Sequence, residues 1–149
     1  MKYFTLQELT ASQVARRRGI NNTPAKFERE NLVELVDKVL DPLREAWGAP
    51  IIVTSGYRCY ALNQAVGGAK SSQHCLGLAA DIRALSDLPA DNRKLRDLIV
   101  KLDLPYDQII DEFGGDWIHV SYRATNPRKQ RLHAIRVGNR TVYKPEFSI

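Results

Sequence analysis

Apolar residues recur at Leu32, Leu35, Val36, Val39, Leu40 and Leu43, the i, i+3, i+4, i+7 spacing that lays one stripe along a helix. Thr23 reads as the N-cap of this helix and Pro24 as its first residue, where a missing N–H costs nothing. Asp41-Pro42 bends or ends its first part, and a last turn runs to Trp47 before Gly48. Upstream, Thr5 and Glu8 stand at capping-box spacing and predict a helix through about Arg17, broken by Gly19-Ile20-Asn21-Asn22. Beyond Pro50 the period shortens. Residues 51–54 are a β-branched strand, 60–66 make about two helical turns, and 78–82 read as a strand of small residues. Residues 91–102 are amphipathic, with Leu95, Leu98, Ile99 and Leu102 on one side. Strands follow at 108–110 and 117–122, and a closing hairpin pairs 132–137 with 140–143 through Gly138-Asn139. Helices early and strands late predict an α+β class: N-terminal helices packed on a mainly antiparallel sheet.

Composition narrows the picture. At 149 residues, 44% hydrophobic and 26% charged, the chain reads as a single domain over 1–149 whose core needs no disulfide or metal. Those fractions exclude a disordered tail, a collagen and a disulfide scaffold. No apolar run approaches the ~20 residues of a membrane span, and the first eight residues lack the apolar core of a secretory signal. The expected setting is therefore the cytosol, an exported form already stripped of its leader, or release by lysis. The net charge of +5 favours polyanionic surroundings. Arg16-Arg17-Arg18 abuts Gly19 and reads as a helix C-terminus, where cations complement the dipole. Arg123, Arg128, Lys129 and Arg131 lack interleaved aromatics, so no nucleic-acid partner is expected. Cys59 and Cys75 fit no CxxC pattern and read as small buried residues.

Chemistry concentrates in two places. His74 ends a polar loop and Asp81 lies in the strand after it, while His119 sits on an otherwise apolar strand with Asp116 three residues before it. Two imidazoles and a carboxylate suit zinc with one position left open. The same residues also fit hydrogen-bonded core histidines, and spacing alone leaves both readings standing.

Ser72-x-His74-x-x-Gly77-x-Ala79-x-Asp81, followed by Asp116-x-x-His119, resembles the paired motifs of the zinc D-alanyl-D-alanine carboxypeptidases. That family includes D-Ala-D-Ala dipeptidases and the L-alanyl-D-glutamate endopeptidases of phage endolysins, and it shares a core fold with the hedgehog signalling domain. Thr54-Ser55-Gly56-Tyr57-Arg58, Leu62-Asn63 and Gly67-Gly68 are similar to the segment that precedes the first zinc ligand. The resemblance implies Zn2+ held by His74, Asp81 and His119, with Asp116 as the general base that takes a proton from the attacking water. Glu112, four residues earlier, is the competitor for that role. Because residues i and i+3 of a strand face opposite sides, Asp116 must sit in the turn after Gly114-Gly115 to reach the metal. Arg58 matches the arginine that holds the scissile carbonyl and its oxyanion. Ser72 matches a serine near the substrate, with a loop-capping hydroxyl as the competing reading, and Gln73 and Tyr122 are further pocket candidates against ordinary packing. Gly77 and Ala79 are expected to matter by being small beside the metal strand, and His133 reads as a surface residue.

The expectation is a monomeric zinc peptidase acting on D-amino-acid bonds of peptidoglycan peptides, as a phage lysin or tail component or an exported enzyme. The alternative is a non-catalytic zinc-bearing module that binds the cell wall or serves a phage structure. A thiol hydrolase built on Cys59 or Cys75 lacks an evident orienting partner.

Overall fold

The computed structural model describes residues 1–145. Six strands form one sheet in the order β1-β2-β4-β3-β5-β6: β1 (Ile51–Ser55), β2 (Ala79–Ala84), β3 (Tyr106–Glu112), β4 (Trp117–Tyr122), β5 (Gln130–Val137) and β6 (Arg140–Pro145). All neighbours run antiparallel except β3 and β5. The predicted α+β class and mainly antiparallel sheet hold. Among the described residues no helix is long and apolar enough to cross a membrane.

The helical stripe packs on one face of this sheet. Leu32, Leu35, Val36, Val39, Leu40 and Leu43 are fully buried, against Ile82, Ile109, Ile118 and Val120. Burying each such side chain stabilises the fold by roughly 1.5–3 kcal/mol before chain entropy is subtracted. The helix does not break at Asp41-Pro42. Instead α3 (Lys26–Leu35) widens into a π turn over Val36–Leu40 and continues as α4 (Asp41–Trp47), capped by Gly48 at φ 76°. Pro42 cannot donate to the carbonyl of Lys38 and would clash with it, and the wider turn relieves both problems.

Two other sequence expectations change. The predicted first helix is two: α1 (Leu6–Thr10) and α2 (Gln13–Arg18), with Ser12 capping the second through its hydroxyl. Tertiary contact decides this, because the Leu9 carbonyl accepts from the Tyr57 amide at 2.7 Å. A Cβ on Gly56 would overlap that same carbonyl. Thr23 does not cap α3, which starts at Lys26 behind Ala25 with no side-chain cap. The preceding segment is pinned extended by buried Asn22, whose amide bonds the carbonyls of Thr10 and Tyr57 and accepts from the Cys59 amide at 2.7 Å. The remaining helices are α5 (Tyr60–Ala65) and α6 (Pro89–Lys101). Cys59 and Cys75 are free thiols.

Candidate metal centre

Strand alternation sorts the sheet into an apolar face under the helices and a polar face above. Asp81 lies directly opposite His119 across β2 and β4, and Ile110 lies opposite His119 on the other side. Glu112, two residues beyond Ile110, therefore shares their face. Their sequence neighbours Ile82, Ile118 and Val120 point into the core. The third side chain arrives from a 3-10 turn over Gln73–Leu76, where the Ser72 hydroxyl accepts from the His74 amide at 3.2 Å. Gly77 ends that turn at φ 73°, and a Cβ there would overlap the Glu28 carbonyl of α3. Its smallness thus serves helix contact, a different neighbour from the metal strand.

His74, Asp81 and His119 each offer a ligand atom, all within 4.8 Å of one another. Asp81 Oδ1 stands 3.3 Å from His74 Nε2 and 3.1 Å from His119 Nδ1. Tetrahedral zinc with bonds of about 2.0–2.1 Å spaces its ligands by about 3.3 Å, so the separations fit. His74 Nε2 is buried and has no hydrogen-bond partner. Its Nδ1 lies 2.7 Å from the Gly56 carbonyl. A carbonyl only accepts, so Nδ1 carries the proton and Nε2 presents its lone pair to the cluster. Burial opposes the charge on Asp81, yet the imidazoles of His74 and His119 outweigh it and hold the carboxyl below the usual carboxylate range. The donors are a borderline set suited to zinc, and the orphaned ring nitrogen is what a metal would satisfy.

A family model described as Peptidase M15 matches residues 2–121. The chain belongs to the M15 peptidase family. Comparison with the curated proteins finds no match. Family membership makes the chain a zinc metallopeptidase, and the His74, Asp81 and His119 cluster is a group that could hold the ion.

Around the cluster this M15 peptidase places the other candidates unequally. Arg58 brings Nη2 to 4.0 Å from Asp81 Oδ2, and its Nε is buried without a partner. Glu112 is only 8% exposed and lines the same cavity of about 680 Å³ as all three ligand residues. Burial pushes its carboxyl up to about 7, against the pull of His119 and with help from the charges of Asp81 and Asp111. Asp116 does sit in the turn after Gly114-Gly115, but it is exposed there and lines an adjoining hollow that shares Phe113, Trp117 and Arg136 with the ligand cavity, while Asp116 itself does not line that cavity. The turn explains why: Phe113, Gly114 and Gly115 adopt φ of 51°, 74° and 86°, and Asn92 anchors the carbonyls of Gly115 and Asp116 from α6. Of the two carboxylates, Glu112 is the one that lines the cavity with the ligand residues.

Tyr122 does not line the cavity. It lies three residues from His119, so it faces the core, where its hydroxyl donates to Glu34. Ser72 lines the cavity but spends its hydroxyl on the His74 amide. Gln73 lines it too, with its amide donating to buried Asp107. His133 is half-buried on β5, outside the cavity lining. Sequence reasoning missed Tyr143, which lines the cavity from β6. Glu112 pairs with Ala134 and Ala134 with Tyr143, a row crossing three strands that no local motif announces.

Proposed function

We propose that this M15 peptidase hydrolyses peptide bonds of bacterial peptidoglycan that involve D-amino acids, with Glu112 as the general base. The observation that carries the reading is one cavity holding the ligand cluster together with a buried carboxylate, Glu112. Bound at His74, Asp81 and His119, zinc supplies Lewis-acid polarisation of the scissile carbonyl and a more acidic water. Arg58, which lines the cavity with Nη2 4.0 Å from Asp81 Oδ2, turns a fixed fork of donors toward the carbonyl oxygen. Glu112 takes the proton from the attacking water and returns it to the leaving amine, a task suited to a group titrating near the working pH. No covalent intermediate forms.

An internal bond is favoured over a terminal one. A second cavity of about 680 Å³ adjoins the first at Asp81, and the two share Arg58, Val66, Asp81 and Trp117. Room on both sides of the cluster supports a chain that continues past the cut in both directions. The test is digestion of purified sacculi by the zinc-loaded protein, with products identified by mass spectrometry. Internal fragments are expected. Absence of zinc-dependent cleavage overturns the reading.

A further inference from the structure

The arm of the trench away from Glu112 runs along β1, the edge strand of the sheet, and is walled by α2. Its floor is apolar, with Val14, Ile52, Val53 and Leu62. On its rim stand Arg16 and Arg17, both exposed. Neither has a carboxylate partner among the described residues, so both guanidinium groups keep their donors for a ligand. The arm contains one acid, Asp81, and that belongs to the ligand cluster. The third arginine of the run, Arg18, is exposed but does not line the arm. The dipole of a six-residue helix accounts for cations at its end, but not for two of them overhanging an apolar channel that leads to the ligands. At the junction the Trp117 side chain lines both cavities.

We propose that this arm binds a peptide segment carrying a free carboxylate, and that Arg16 and Arg17 are specificity residues that pair with it. The inference rests on the peptidase reading above and adds the chemical class that one side of the cut must present. Guanidinium suits the task because its fork matches a carboxylate and stays charged at every working pH. The apolar floor takes the aliphatic part of the segment while the rim takes the charge. Peptidoglycan stems offer such a group on D-glutamate and at the C-terminus.

The experiment compares two forms of one stem peptide, with all carboxylates free or all converted to carboxamides, in the zinc-loaded protein. Wild type is expected to prefer the free form by at least tenfold in kcat/KM. The Arg16→Gln/Arg17→Gln double variant is expected to lose most of that preference, through KM, while Arg18→Gln keeps it. The same ratio is read as Kd in the Glu112→Gln background, where turnover is slow enough for binding to be measured. Equal losses on both forms, or no loss on either, overturn the subsite. Failure of the peptidase reading looks different: no form is cleaved by any variant, while the Kd comparison still reports on the two arginines.

Discussion

The Gly56 carbonyl lies 2.7 Å from Nδ1 of His74, and the Gly56 α-carbon sits so close to the Leu9 carbonyl that no side chain fits. One residue therefore connects helix packing to the orientation of a ligand. Arg58 and His74 are bound into the same loop, since the Arg58 amide donates to the His74 carbonyl at 3.1 Å.

From this follows the behaviour of Gly56→Ala. The added methyl must push the loop after β1 away from α1, and the carbonyl that holds the His74 tautomer moves with it. Loss of an outer partner of a ligating histidine lowers metal affinity by about 10–100-fold. Zinc affinity by chelator competition is expected to fall in that range, with a lower Tm. Unchanged affinity would show that the His74 ring is held by other contacts.

Asn92 offers a second test. It is fully buried on α6, accepts from the Ala84 amide at 2.8 Å and donates to the Gly115 carbonyl at 2.9 Å. Asn92→Ala leaves both backbone groups without partners, which costs about 2–4 kcal/mol. The urea midpoint should drop accordingly. Because the lost bond anchors the turn beside Glu112, turnover should fall while zinc content stays whole. Asn92→Asp should be intermediate, keeping the acceptor for Ala84 but losing the donor to Gly115.

These positions also show what could be read from the chain. His74 and Asp81 fall within one ten-residue motif, Ser72 to Asp81, and strand alternation puts His119 on a definite face, so local pattern sufficed to nominate the cluster. The base was harder, because Asp116 has the motif spacing. Which carboxylate reaches the cavity depends on three successive left-handed residues and on Asn92 from a distant helix. Tyr143 enters through a parallel β3–β5 pairing made by a long-range crossover, and Thr23 lost its cap to the buried contacts of Asn22. In each case a tertiary contact overrode a local signal.

Metal removal separates site from fold. The core of helix stripe and inner sheet face contains none of the ligand residues, so chelation should abolish cleavage and leave the far-UV circular dichroism intact. A ligand that binds only the native state stabilises it by about 4 kcal/mol at 1,000 times its Kd, so zinc should raise Tm by several degrees. His119→Ala should lose both the activity and the zinc-dependent rise. A variant that keeps cleavage after chelation would remove the metal from the mechanism.

Glu112 and Asp116 can be told apart by rate and by pH. Glu112→Gln should lower kcat by about 10²–10⁴-fold with zinc retained, the usual range for a general acid–base group. Asp116→Asn, altering an exposed turn residue, should stay within about twofold. The free base must be ionised, so kcat/KM should rise with pH through a midpoint at or below about 7, the value to which burial pushes Glu112, and level off above it. Stability of the metal-free protein has the opposite slope. The native state holds a proton on Glu112 that the unfolded chain releases near pH 4.3. The contribution is therefore fully present below about pH 4.3 and is lost as pH rises through about 7. Glu112→Gln cannot titrate, so the difference in unfolding free energy between variant and wild type should grow across that window. A flat difference, or a large rate loss in Asp116→Asn instead, would return the base to the turn.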